Sequence, residues 1–233
     1  MKLIKQLKIV FLILTLFFIT FSDLVFANNF YAGIDLGKSK SRTAESIPAN
    51  STTHYYLESG SSFNINGKDN IVGLHFGYNH FINNFFIGPE LRFIKKNQDI
   101  GDAQGRFSIN EYSVKYDDTK TLALKLGIVD NKISYYLLGG FAQSDIYIKA
   151  KEKDFPDHIG ESKANHNGSI FGVGIETNIS KSASIGLQYS EINLKQKKQT
   201  LKDNNSDIGF EGPDVVTVKP NLKILSLRAS YLF

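Results

Sequence analysis

Six charged side chains and one histidine hold most of the chemistry this chain offers: Asp35, Glu90 and Glu176 against Arg92, Lys125 and Arg228, with His75 among them. Three acids and three bases on one face of extended segments suit a network of ion pairs, because an isolated ion away from water is costly. His75 fits there as a hydrogen-bonded member rather than as a catalyst. The other histidines, His54, His80, His158 and His166, show no metal-ligand spacing, so neither metal nor cofactor is expected. His166 and Ser169 could act as base and nucleophile, but a spacing of three puts them on opposite faces of a strand. Gly37-Lys38-Ser39 lacks the upstream glycine and following helix of a phosphate loop. No catalytic residue is assigned, and the expectation is a protein that is not an enzyme.

Those charges sit in eight segments of period-2 alternation, the mark of strands with unlike faces. They cover 30–39, 71–80, 85–94, 120–129, 134–149, 168–179, 183–191 and 225–233. In the first, Phe30, Ala32, Ile34 and Leu36 oppose Tyr31, Gly33, Asp35 and Gly37. In the last, Leu225, Leu227, Ala229, Tyr231 and Phe233 oppose Ser226, Arg228, Ser230 and Leu232. Pro89 lies inside the third segment, where it cannot donate to a ladder and suggests a bulge. The fifth segment is equally apolar on both phases, so its faces stay unassigned. Short connectors at 80–84, 130–132 and 180–182 alternate strictly with long ones at 40–70, 95–119, 150–167 and 192–214. In an up-and-down meander that order gathers all short turns at one rim and all long loops at the other.

The N-terminus carries Lys2, Lys5 and Lys8, then 13 residues from Ile9 to Phe21 that are apolar except for threonines, then Val25-Phe26-Ala27. This pattern predicts a secretory signal peptide over 1–27 and a barrel domain over 28–233. The apolar run is too short for a spanning helix, which needs roughly 20 residues. N-terminal sequencing of the membrane-fraction protein is expected to begin at Asn28, and a start at Met1 would contradict it. Cleavage removes three lysines and Asp23, so the formal charge falls from +4 to +2. No clustered basic face calls for nucleic acid. With no cysteine, the exported chain must be held by something other than disulfides, either a large core or backbone pairing closed on itself.

Alternation alone does not say which face is inside, since a soluble ligand-binding barrel turns its apolar face inward. Here one face gathers Phe, Leu, Ile, Val and Tyr, while the other gathers glycines and balanced charges. A narrow lumen needs small residues for room and paired charges, so the polar face is the lumen and the apolar face meets lipid. Asp35 should lie level with Arg228, and Glu90 with Lys125.

The runs Phe30-Tyr31-Ala32-Gly33, Phe76-Gly77-Tyr78-Asn79, Gly172-Val173-Gly174-Ile175-Glu176 and Tyr231-Leu232-Phe233, in that order, resemble the small eight-stranded outer-membrane β-barrels, including OmpA-type barrels and bacterial surface antigens. The resemblance covers the mature chain and departs at Gln188 and Ser190, where relatives often carry Glu then Arg. It implies an all-β, eight-stranded antiparallel transmembrane barrel in the outer membrane of the cell envelope, with four long loops facing the exterior. It also implies that Tyr231 and Phe233 form the signal read by the outer-membrane assembly machinery. The implied function is an adhesin or surface antigen contacting a host surface protein or glycan. A small-solute pore is the alternative, and a lipid A-modifying hydrolase with a His-Ser-Glu site a further one. Outer-membrane lipid and lipopolysaccharide are the other implied partners. The lysines of 192–214 (Lys195, Lys197, Lys198, Lys202) could meet lipopolysaccharide phosphates, but Asp203, Asp207, Glu211 and Asp214 cancel them, so a solvated hairpin is expected.

Overall fold

The computed structural model describes residues 29–46, 60, 62–96, 100–103, 110–152, 159–203 and 214–233. The expected signal peptide, His54 and His158 lie outside the described residues. Eleven strand segments follow one another: β1 (Phe30–Ser46), β2 (Ser62–Tyr78), β3 (His80–Ile82), β4 (Phe85–Lys96), β5 (Ile100–Ala103), β6 (Asn110–Asp130), β7 (Ile133–Glu152), β8 (Ile159–Asn178), β9 (Ala183–Leu194), β10 (Lys197–Asp203) and β11 (Asp214–Leu232). Three pairs are interrupted single staves, β2 with β3, β4 with β5, and β9 with β10. The result is eight staves, each antiparallel to its sequence neighbour. The first closes on the last, from Tyr31 opposite Leu232 to Ser46 opposite Thr217, and β4 completes the ring by pairing with both β2 and β6.

The tight turns have a local cause. Asn83 and Asn131 sit at φ 55° and 56°. Asparagine tolerates this left-handed region, which two-residue hairpin turns require.

Around the short-turn half runs an apolar band facing outward. Leu36 is 50% exposed, Leu227 54% and Phe141 76%, and Val72, Phe93, Leu124 and Val173 continue it on other staves. On β11 the band runs from Leu225 to Phe233, about 26 Å along the strand. At the usual strand tilt that is about 20 Å of height, close to the hydrocarbon span of an outer-membrane barrel. Water would not tolerate so continuous an apolar girdle on a monomer.

The strands do not stop where the band ends. Segments expected as long connectors continue the ladders: β1 runs on to Ser46, β2 begins at Ser62, and β7 and β8 are separated only by 153–158. Above the band the alternation reverses its sense, with polar residues outside and apolar ones inside. Ile65, Val114, Ile146, Ile148, Ile192, Leu201, Val216, Val218 and Leu222 are all buried in one cluster. That reversal explains the fifth segment. Tyr135, Leu137 and Phe141 face outward in its lower half, while Tyr136, Leu138, Ala142, Ile146 and Ile148 face inward.

The bulge expected at Pro89 is absent, because β4 keeps an unbroken register with β6 from Phe85–Ile128 to Ile94–Thr119. On its other side the ladder simply lapses between Gly77–Glu90 and His80–Ile87, where proline has no N–H to give, and resumes in the same register. Gly88 is needed beside it, since a Cβ there would lie 1.5 Å from the Tyr78 carbonyl oxygen. The bulge lies on β6 instead, between Asp117 and Thr119. It switches the inward phase from Thr119, Thr121 and Lys125 to Val114 and Tyr116.

Candidate functional site

The bore of the short-turn half holds every residue of the expected charge network. Asp35, His75, Glu90, Arg92, Lys125, Glu176 and Arg228 all lie inward and are at most 9% exposed. Arg92 Nε donates to Asp35 Oδ2 at 2.7 Å, and its terminal nitrogens reach Ser226 Oγ at 2.9 Å and Ser190 Oγ at 3.4 Å. His75 Nδ1 lies 3.3 Å from the same Asp35 oxygen, and its Nε2 is 2.9 Å from Ser230 Oγ. Arg228 grips Glu90 with both terminal nitrogens, at 2.8 and 3.2 Å, while its Nε lies 3.4 Å from Asp35 Oδ1. Such a fork on a carboxylate fixes direction as well as charge.

The partner of Lys125 differs from the sequence expectation. Its Nζ donates to Glu176 Oε2 at 3.1 Å, and Glu176 also accepts from the Ser184 hydroxyl. The register sets Glu90 opposite Ala123 and Lys125 opposite Gly88, one inward position apart. Across so narrow a bore, Arg228 reaches Glu90 from the far wall, and Lys125 is left to Glu176. Its ammonium is also caged by rings, 4.0 Å from the centre of Tyr136 and 4.9 Å from that of Tyr31.

Sequence reasoning missed these aromatics as members of the plug. Tyr31 donates to Glu90 at 2.8 Å, and Tyr136 donates to Gln188 at 3.1 Å while accepting from Arg228 at 3.1 Å. Gln188 also accepts from Arg228 directly. The signal was present in the glycines opposite. A Cβ on Gly77, Gly127 or Gly174 would collide with Tyr31, Phe86 or Tyr136, each at 2.2–2.3 Å from the ring Cζ. Gln188 and Ser190, the two departures from the relatives' pattern, therefore sit inside the network as neutral acceptors.

Above this charged level the bore changes character. Thr43 and Tyr116 share a hydrogen bond of 2.8 Å, and Lys96 Nζ stands 4.4 Å over the Tyr116 ring. Glu45 is buried there with no partner for either carboxyl oxygen. Burial pushes its pKa from 4.5 up to about 8. An unfolded chain would ionise Glu45 above about pH 4.5, whereas the folded one keeps it protonated to about pH 8. Stability should therefore fall as pH rises through that window and level off above it. Glu45→Gln is expected to abolish this loss, read as urea midpoints near pH 5 and near pH 8.5. An unchanged pH dependence in the variant would contradict the assignment.

His166 lies inward and buried, while Ser169 faces outward on the same strand. Its Nδ1 donates to the Lys195 carbonyl at 3.0 Å and its Nε2 meets the Gln199 amide at 2.9 Å. Burial lowers its pKa. His80 is exposed beside the short turn. Among the described residues no group of three His, Cys, Asp or Glu is placed to hold a metal ion. Tyr231 and Phe233 face outward at the short-turn rim, their rings 5.0 Å apart edge to face. The Phe233 N–H donates to the Phe30 carbonyl at 3.0 Å, across the closing seam.

Residues 9–211 match the model of the outer membrane protein beta-barrel domain family. No curated protein matches the chain. Among solved structures, the outer membrane protein OprG of Pseudomonas aeruginosa is 14% identical, with 89% of this chain and 97% of that one covered and a TM-score of 0.57. Neisserial surface protein A is 13% identical, covering 89% and 99% at a TM-score of 0.47. The attachment invasion locus protein Ail of Yersinia pestis is 14% identical, covering 88% and 99% at 0.39. With an all-antiparallel ring of eight staves and an outward apolar band, the chain belongs to the outer membrane protein β-barrel family and resides in the bacterial outer membrane.

Proposed function

We propose that the protein is a surface-display barrel, an adhesin or surface antigen whose outer end contacts host protein or glycan. One observation carries this reading: the barrel strands continue well past the lipid band with an apolar-packed interior and a polar exterior. On β1 the band ends at Leu36 and the strand runs to Ser46, about 33 Å further along the chain. A pore has no use for such an extension packed with isoleucine and valine, whereas a stalk that lifts connectors clear of the lipid surface does. A non-enzymatic role is supported by His166, whose two ring nitrogens are both engaged and which points away from Ser169.

The test is a binding screen of the intact folded barrel against immobilised host extracellular proteins and glycans. Controls shorten the connectors at 47–61, 104–109, 153–158 and 204–213. Binding that disappears with a shortened connector supports display. Binding that survives all four deletions would contradict it.

A further inference from the structure

Just above the lipid band on one wall, three lysines stand in a row across three strands. The register sets Lys40 directly opposite Lys68 on β2 and directly opposite Lys223 on β11. Opposed residues in an antiparallel pair have Cβ atoms about 5 Å apart, and like charges so placed repel. Lys38, Arg42 and Lys219 face outward near the row. The acid at hand is Glu191, 3.8 Å from Lys223 Nζ and already accepting from Asn221. Among the described residues no carboxylate pairs with Lys38, Lys40, Lys68 or Lys219. The row borders a groove of about 860 Å³ on the outer wall, floored by Asn64, Asn66 and Asn221.

The opposite wall is built differently. There Lys163 lies 3.2 Å from Asp145 and 3.5 Å from Asp117, so its charge is neutralised locally. Leu36, Val72 and Leu225 form the top of the band on the same three strands. Lys223 is the next outward position above Leu225, and Lys40 and Lys68 are the second above Leu36 and Val72. The ammonium groups therefore point sideways into the headgroup layer, not upward toward the medium.

We infer that Lys40, Lys68 and Lys223 form a site for the phosphate groups of an anionic glycolipid of the outer leaflet, whose acyl chains lie against the band below. Lysine serves as a point charge for phosphate, and a bound phosphate between the ammonium groups turns mutual repulsion into attraction. A soluble anion would gain the charge contacts alone, whereas a lipid also gains contact with Leu36, Val72 and Leu225. The inference rests on outer-membrane residence and not on the host-contact reading.

The experiment uses the full-length folded barrel in detergent and native mass spectrometry, with bisphosphorylated lipid A as the probe. Lys40→Gln/Lys68→Gln/Lys223→Gln should weaken lipid A binding at least about tenfold. Lys163→Gln, on the opposite wall, should leave it unchanged. Fully dephosphorylated lipid A should bind the native barrel no better than lipid A binds the triple variant. Folding of every protein is checked by heat-modifiable gel mobility. If the triple variant does not fold, Lys40→Gln against the charge-preserving Lys40→Arg answers the same question, with binding retained only by arginine. Undiminished binding in the glutamine variants, or equal binding of dephosphorylated lipid A, would overturn the site. Displacement of the lipid by an equal concentration of inorganic phosphate would assign the row to a free anion and overturn the lipid reading.

Discussion

Glu90→Ala is expected to lower the unfolding free energy of the barrel by about 3–5 kcal/mol, the cost of leaving a buried charge without its partner. Glu90 is 2% exposed and takes both terminal nitrogens of Arg228, itself wholly buried, together with the Tyr31 hydroxyl. Its removal leaves Arg228 facing Asp35 at 3.4 Å, and Asp35 is already committed to Arg92 at 2.7 Å. One carboxylate would then serve two guanidinium groups. Because the cost is the stranded charge and not the lost bond, Glu90→Ala/Arg228→Ala should be less destabilised than Glu90→Ala alone. Urea titration of protein folded in lipid vesicles measures both. A Glu90→Ala loss under about 1 kcal/mol, the range of exposed pairs, would show that water reaches the bore.

Phe233→Asp is expected to reduce folded yield in the membrane fraction severely while leaving synthesis unaffected. Phe233 and Tyr231 form an aromatic pair on the outward face of the closing strand, where outer-membrane barrels carry an interfacial girdle. A carboxylate there would remove that anchor at the seam between β11 and β1. Resemblance adds a second reason, that the pair is proposed as the signal read by the assembly machinery. The two causes separate by refolding. If Phe233→Asp inserts into plain lipid vesicles as well as the native protein but fails in cells, recognition is the lost step. Equal heat-modifiable yield in cells would contradict both.

The lower half of this barrel was legible because each of its faces has one character. Along β1, Phe30, Ile34 and Leu36 look out and Asp35 looks in, so period 2 shows the strand and balanced charges show the lumen. The upper half hides itself by inverting that code. On β11 the same strand turns Leu225 and Leu227 outward below and Leu222, Val218 and Val216 inward above, so a scan for one apolar phase ends at the inversion and takes the rest for loop. Two parity changes add to this. The extra residue at Asp118 moves the inward phase of β6, and the break between Leu194 and Lys197 moves it from Leu194 to Gln199 and Leu201. Ion-pair partners were legible only where strands are neighbours. Asp35 and Arg228 face each other in register, but Arg228–Glu90 reaches past two intervening strands and Lys125–Glu176 past one, and no sequence spacing encodes those distances.

The filled bore is the claim on which the display reading stands. Charged side chains cross-link it at the level of Arg228, and the apolar cluster occupies it above. An eight-stranded barrel leaves an interior just wide enough for such side chains. Planar-bilayer recording of the pure, folded, full-length protein should therefore show insertion without steady conductance. Reproducible single-channel steps would contradict the sealed interior and establish the pore in its place.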